Sequence, residues 1–129
     1  MKKTLLLIMM LVGGLTAAMA QAEIKFDKLT HDFGKFSKKS PVVHCVFTYE
    51  NVGDAPLVIN QAIGSCGCTV PEYTKEAVQP GQKGEIKVTY NGTGKHVGGF
   101  SKTITVHCNG KAEVVRLTIK GEMTEEQEE

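Results

Sequence analysis

Through most of the chain, hydrophobic residues recur at every second position. In "VVHCVFTYEN", Val43, Cys45, Phe47 and Tyr49 share one face, and His44, Val46 and Thr48 share the other. "GEIKVTYN" sets Ile86, Val88 and Tyr90 against Glu85, Lys87 and Thr89. "KTITVHCN" sets Ile104, Val106 and Cys108 against Thr103, Thr105 and His107. "VVRLTIKG" sets Val115, Leu117 and Ile119 against Val114, Arg116, Thr118 and Lys120. A period of two puts successive side chains on opposite faces of a strand, one apolar and one wet. "APLVIN" and residues 24–33 predict two further strands. No segment sustains a helical period. Turn signals divide the strands: Asn51-Val52-Gly53-Asp54, Pro80-Gly81-Gln82-Lys83-Gly84, Asn91-Gly92-Thr93-Gly94, Gly98-Gly99 and Asn109-Gly110. About six or seven short strands of this kind predict an all-β fold, an immunoglobulin-like antiparallel β-sandwich.

The start of the chain reads differently. In "MKKTLLLIMMLVGGLTAAMAQAEIKF", Lys2 and Lys3 form a positive segment ahead of an apolar run over residues 5–12. Ala18-Met19-Ala20 offers a small-x-small cleavage site, and Ala20-Gln21-Ala22 a second. This pattern predicts a cleaved signal peptide over residues 1–20. The run falls well short of the ~20 apolar residues a spanning helix needs. No cysteine follows the cleavage site to take a lipid, and no later segment is apolar enough to insert. The expected mature protein is periplasmic or secreted, in an oxidising compartment. Its globular domain covers residues 21–122, and residues 123–129, "MTEEQEE", form an acidic flexible tail. Losing Lys2 and Lys3 leaves 13 basic against 14 acidic residues, a net charge of −1. That balance argues against a nucleic acid or an anionic membrane as partner.

With export expected, the four cysteines become the candidate chemistry. They allow three disulfide connectivities. Cys45 and Cys108 each fall on an inward strand face, where a pair can bridge the two sheets. A loop that long would add roughly 4 kcal/mol in the chain-entropy picture. Against it, Cys45 stands early in its strand and Cys108 late, so the sulfurs can be offset beyond disulfide reach. Two buried free thiols are the plain alternative. Cys66 and Cys68, in "GSCGCTVPEY", flank one glycine in a loop or strand end. They can form a small, strained and easily reduced ring. They can instead supply two thiolates to Cu(I) or Zn(II), with His31, His44, His96 or His107 completing the set. Or they can pack locally, or pair with Cys45 or Cys108.

Other motifs carry less. "HDFG" at residues 31–34 has no glycine-rich loop or catalytic loop to make it part of a kinase. It reads as the end of the first strand, with Gly34 turning. His44 and Cys45 are neighbours in a strand and point to opposite faces, as do His107 and Cys108, so neither makes a cysteine–histidine pair. Asn91-Gly92-Thr93 fits an acceptor pattern for glycans but reads better as a turn. No phosphate loop or carboxylate pair is present, and no catalytic residue is expected.

Taken together, "HDFGKF", "FTYENVGDAPLVI", "GSCGCTVPEY", "PGQKGEIKVTYN", "GGFSKTITVHCNG" and "LTIKGE" resemble domain-of-unknown-function family 1573, common among Bacteroidetes. The most specific part is Ser65-Cys66-Gly67-Cys68-Thr69. The resemblance implies export and an immunoglobulin-like sandwich related in shape to ASPM and hydin modules. It implies no activity, because fold analogy alone supplies none. The family pattern often has a histidine at position 45 and a small polar residue at position 108. Both positions depart from that pattern and each adds an inward thiol, which favours a Cys45–Cys108 bridge or, more rarely, a three-thiol site of Cys45 with Cys66 and Cys68.

The expected function is an exported, non-enzymatic binding or structural module of the bacterial envelope. It would contact an envelope protein or a glycan and need no cofactor. The alternative is a periplasmic Cu(I)/Zn-binding or thiol-redox protein that uses Cys66 and Cys68.

Overall fold

The alternating segments become strands in the computed structural model, which describes residues 20–125. In order they are β1 (Ile24–Phe26), β2 (Thr30–Ser37), β3 (Val42–Asn51), β4 (Ile59–Gly64), β5 (Thr69–Tyr73), β6 (Lys83–Asn91), β7 (Gly98–Cys108) and β8 (Val114–Thr124). Two four-stranded sheets face each other, ordered β1-β3-β6-β5 and β2-β8-β7-β4. All pairs are antiparallel except β2 with β8. The inward positions build the core: Phe47 and Tyr49 from β3, Ile86, Val88 and Tyr90 from β6, Ile104 and Val106 from β7, Leu117 and Ile119 from β8. Each such burial contributes roughly 1.5–3 kcal/mol before entropy is counted. Most of the candidate signal peptide, residues 1–19, and the end of the acidic tail, residues 126–129, lie outside the described residues.

The structure departs from the sequence reading in five places. Residues 24–33 are not one strand. The chain makes β1 in one sheet, crosses at residues 27–29, and makes β2 in the other. Gly34 does not end a strand; it lies inside β2 at φ 70°, where the register against β8 shifts between Asp32 and Lys35. Of "APLVIN", residues 55–58 contribute only an isolated bridge, Leu57 with Val78, and Ile59 and Asn60 open β4. β5 was not expected, because Pro71 stands in its middle. Asn91 N–H donates to Cys68 O and Thr74 N–H to Glu85 O, so even-numbered residues of this strand bond β6. The missing N–H of Pro71 therefore faces the open edge, where a proline is tolerated. Finally, β8 runs on to Thr124, past the expected boundary at 122, because Met123 is 2% exposed and packs its sulfur over Gly92.

One buried polar residue ties the end of β3 to its surroundings. Asn51 is fully buried. Its amide donates to Ala55 O at 2.7 Å and Val78 O at 2.9 Å, and its Oδ1 accepts from Gly53 N–H at 2.9 Å and Glu23 N–H at 3.3 Å. Removing the side chain strands the buried Val78 O and three partly buried backbone groups, and a buried group left unpaired costs about 1–3 kcal/mol. Asn51→Ala should therefore lower the unfolding free energy by about 3 kcal/mol or more in urea titration. A loss below about 1 kcal/mol would mean water replaces these bonds at little cost.

Candidate functional site

β4 and β5 are edge strands of opposite sheets, and residues 65–68 carry the chain from one to the other. Hydrogen bonds fix this crossing at both ends. Ser65 N–H donates to Thr103 O at 2.8 Å, and Thr103 N–H returns to Ser65 Oγ at 3.1 Å. Thr69 N–H closes the turn on Cys66 O at 3.1 Å, and Asn91 N–H holds Cys68 O at 2.8 Å. Gly64 is required because a Cβ there would strike the Thr69 carbonyl. Within the turn Cys66 and Cys68 are joined by a disulfide, with their Cα atoms 5.3 Å apart. Both cysteines are half-buried, and Cys68 packs against the core. Disulfide sulfurs carry no hydrogen, so Thr69 Oγ1, 3.8 Å from each sulfur, is the donor to them. Cys68 N–H points at Cys66 Sγ from 3.2 Å. Gly67 is exposed, with open space where its Cβ would be.

The Cys45–Cys108 bridge does not form, and both residues are buried free thiols. Their inward faces are as expected, but their positions along the strands are wrong for a bond. Cys108 lies by Ala22, since the Cβ position of Gly110 is 3.4 Å from both Ala22 O and Cys108 Sγ. Ala22 leads into β1, whose Ile24 pairs with Asn51 at the far end of β3. Cys45 stands roughly six residues back along β3, about 20 Å at the strand rise, whereas a disulfide needs Cα atoms within about 7 Å. Cys108 Sγ instead donates to Ala112 O at 3.2 Å.

The four histidines are dispersed over the fold. His31 on β2 accepts from the Lys28 ammonium at Nδ1, 2.9 Å away, and burial followed by the Lys28 charge lowers its pKa, favouring the neutral ring. His44 projects from the outer face of β3 and shares a hydrogen bond with Thr89 at 2.9 Å. His96 is exposed between β6 and β7, and His107 pairs across from Val114. Among the described residues, no three His, Cys, Asp or Glu side chains are grouped to hold a metal ion, so the three-thiol arrangement of Cys45, Cys66 and Cys68 is not formed. As a disulfide, Cys66 and Cys68 present no thiolate; gripping Cu(I) or Zn(II) would first require their reduction.

A second feature lies at the opposite edge. β1 pairs only with residues 49–51 of β3. Thr48 O accepts from Asp27 N–H, and Val52 N–H donates to Glu23 O, so even-numbered residues of β3 aim their backbone groups at this side. Val42, His44 and Val46 do so where, among the described residues, no strand of the sheet pairs with them. Val42 and Val46 are also 44% and 39% exposed. Beside them a cleft of about 430 Å³, lined by Lys35, Phe36, Ser37, Ser40, Val42, Val43 and Thr124, separates the edges of the two sheets. The sequence signal for this edge is Val46, an aliphatic residue between His44 and Thr48 on the outer face of β3. A broader depression of about 600 Å³ covers Gly34, Gly99 and Gly121 on the outer face of the β2-β8-β7-β4 sheet. Its rim of Asp32, Lys35, Lys120 and Glu122 alternates in charge and favours neither sign.

Two outcomes follow for the thiols. Protein purified without reductant should yield two titratable thiols on unfolding, Cys45 and Cys108, and none quickly when native; four on unfolding would contradict the disulfide. Burial also pushes the Cys45 thiol up from 9.0 to about 11, against a weaker lowering by the Lys28 charge. The unfolded thiol ionises first, so this stabilisation is complete below about pH 9 and lost as pH rises to about 11. In Cys45→Ala the alkaline fall in denaturation midpoint should be shallower, whatever its stability at neutral pH.

The family model described as a protein of unknown function, DUF1573, matches residues 24–123. No curated protein matches the chain. Among solved structures, a protein of unknown function from Porphyromonas gingivalis superposes with a TM-score of 0.69 at 16% identity, over 83% of this chain and 50% of that one. The chain thus spans about half the length of that protein. A PapD-like domain of human CEP192 superposes with a TM-score of 0.62 at 10% identity, over 88% of this chain and 93% of that domain. The YadV chaperone superposes at 0.53 with 14% identity, over 81% and 53% of the two chains. At these identities the likeness is one of fold, an immunoglobulin-like or PapD-like β-sandwich. The family match covers all eight strands nearly end to end, and the chain belongs to the DUF1573 family.

Proposed function

We propose that this domain is an exported contact module of the bacterial envelope that binds an extended segment of another protein along β3. The observation that carries this reading is the uncovered edge at Val42, His44 and Val46. A row of outward N–H and C=O groups is a template for one more strand. Backbone bonds would give such a strand affinity, and the cleft beside Phe36 and Val43 would receive its alternate side chains. That ladder suits a polypeptide better than a glycan. Export is supported by the sequence pattern of residues 1–20 and by the Cys66–Cys68 disulfide, a bond typical of oxidising compartments. At this edge the domain would act by binding.

A photo-crosslinking side chain at position 46 should capture envelope proteins in living cells, while the same group at position 116, on the outer face of the other sheet, should not. His44→Pro removes one outward N–H, breaks no backbone bond to β6 and loses only the His44–Thr89 side-chain bond, and it should abolish the adducts at position 46. Equal capture from both positions, or capture unaffected by His44→Pro, would contradict docking at this edge.

A further inference from the structure

We infer that the Cys66–Cys68 disulfide is a dithiol–disulfide exchange site for paired cysteines in an extended or unfolded polypeptide, and that Cys66 is the sulfur that carries the mixed disulfide. This goes beyond the contact reading and does not depend on it.

The bond is poorly placed to be a staple. It spans a sequence separation of 2, and chain-entropy stabilisation is least for the shortest loops. The turn is already held by the reciprocal Ser65–Thr103 bonds, by Thr69 N–H on Cys66 O and by Asn91 N–H on Cys68 O. Cys45 and Cys108, buried in the sandwich, stay unbonded, while the disulfide sits at a half-exposed crossing with open space beyond Gly67. Exposed disulfides are more often the labile ones. On the strands entering and leaving the turn, Ile63 and Val70 are 45% and 49% exposed and offer aliphatic footing to a polypeptide.

The two sulfurs are not equivalent. Cys68 packs against the core beside buried Thr69. Cys66 Sγ receives the Cys68 N–H at 3.2 Å, whereas the Thr69 hydroxyl lies 3.8 Å from both sulfurs. Donors aimed at a sulfur favour its thiolate. Exchange then runs in two steps. A substrate thiolate attacks Cys66 Sγ, the Cys66–Cys68 bond breaks, and Cys68 leaves as a thiolate and takes a proton. The second substrate thiolate attacks the substrate sulfur of the mixed disulfide and expels the Cys66 thiolate, which the Cys68 N–H and Thr69 hydroxyl receive before it is protonated. The substrate dithiol gives up two electrons and two protons and becomes a disulfide; Cys66 and Cys68 become two thiols.

The test uses the native mature protein, purified without reductant. It is exposed to reduced glutathione at neutral pH, trapped by alkylation and mapped by mass spectrometry. Glutathione should appear on Cys66 and the alkyl group on Cys68, with Cys45 and Cys108 unmodified. A reduced peptide bearing two cysteines should be oxidised one for one. Thr69→Val, which keeps the shape and removes the hydroxyl, should slow opening by dithiothreitol several-fold. Glutathione found on Cys68 would overturn the assignment of Cys66. Opening that occurs only when Cys45 and Cys108 react as well would mean unfolding releases the bond, and would overturn the exchange site. Because Cys45 and Cys108 report unfolding in the unaltered protein, that result does not depend on whether the variant folds.

Discussion

The crossing of the chain between β1 and β2 is the constraint from which the rest of the edge architecture follows. Asp27 ends the first strand by a two-way bond with Thr48: its N–H donates to Thr48 O at 3.0 Å, and its Oδ1 accepts from Thr48 N–H at 3.3 Å. Lys28 then spans the seam. Its ammonium donates to His31 on one sheet and lies 5.9 Å from the ring centre of Phe47 on the other. Leu29 O accepts from Thr118 N–H at 2.8 Å, which delivers β2 to the side of β8 as a parallel partner. Because the chain leaves after only three residues, most of β3 has no neighbour on that side among the described residues. The open edge and its cleft are consequences of this early departure.

A second crossing mirrors the first at the other side of the sandwich. There the chain passes from β4 to β5 through Cys66 and Cys68. Both crossings are secured by backbone hydrogen bonds from neighbouring strands. The first adds a cation and an imidazole, and the second adds a disulfide. A sandwich held together by its core and these ladders does not need the disulfide for closure, and that frees the sulfurs for exchange chemistry. The two buried thiols fit the same picture. Cys45 and Cys108 fill inward positions as small apolar groups, and burial keeps each protonated.

Much of this was readable in the sequence, and the misses share a physical cause. β3, β6, β7 and β8 were legible because each buries one face, and burial enforces alternation residue by residue. β5 was hidden by Pro71, which is acceptable only because its N faces an edge, a fact about the neighbouring strand and not about the segment. The break at Asp27 depends on Thr48, far along the chain, and nothing local marks it. The inward faces of Cys45 and Cys108 were correct, but their separation depended on strand register, which alternation does not fix. Pairing of Cys66 with Cys68 was one of several open readings, and the turn closed by Thr69 N–H on Cys66 O decides among them. The open edge of β3 is not legible from Val46 alone, because its meaning depends on β1 being short.

Amide hydrogen exchange along β3 of the free protein tests the central claim most directly. Val43, Cys45 and Phe47 pair with β6 through inward-turned backbone groups, whereas Val42, His44 and Val46 turn theirs to the open edge. The account predicts alternation in protection, with the even-numbered amides exchanging near the rate of an open chain and the odd-numbered ones protected toward the global limit. Uniform protection from Val42 to Phe47 in the free monomer would contradict it, because an edge already satisfied has nothing to offer a partner's strand.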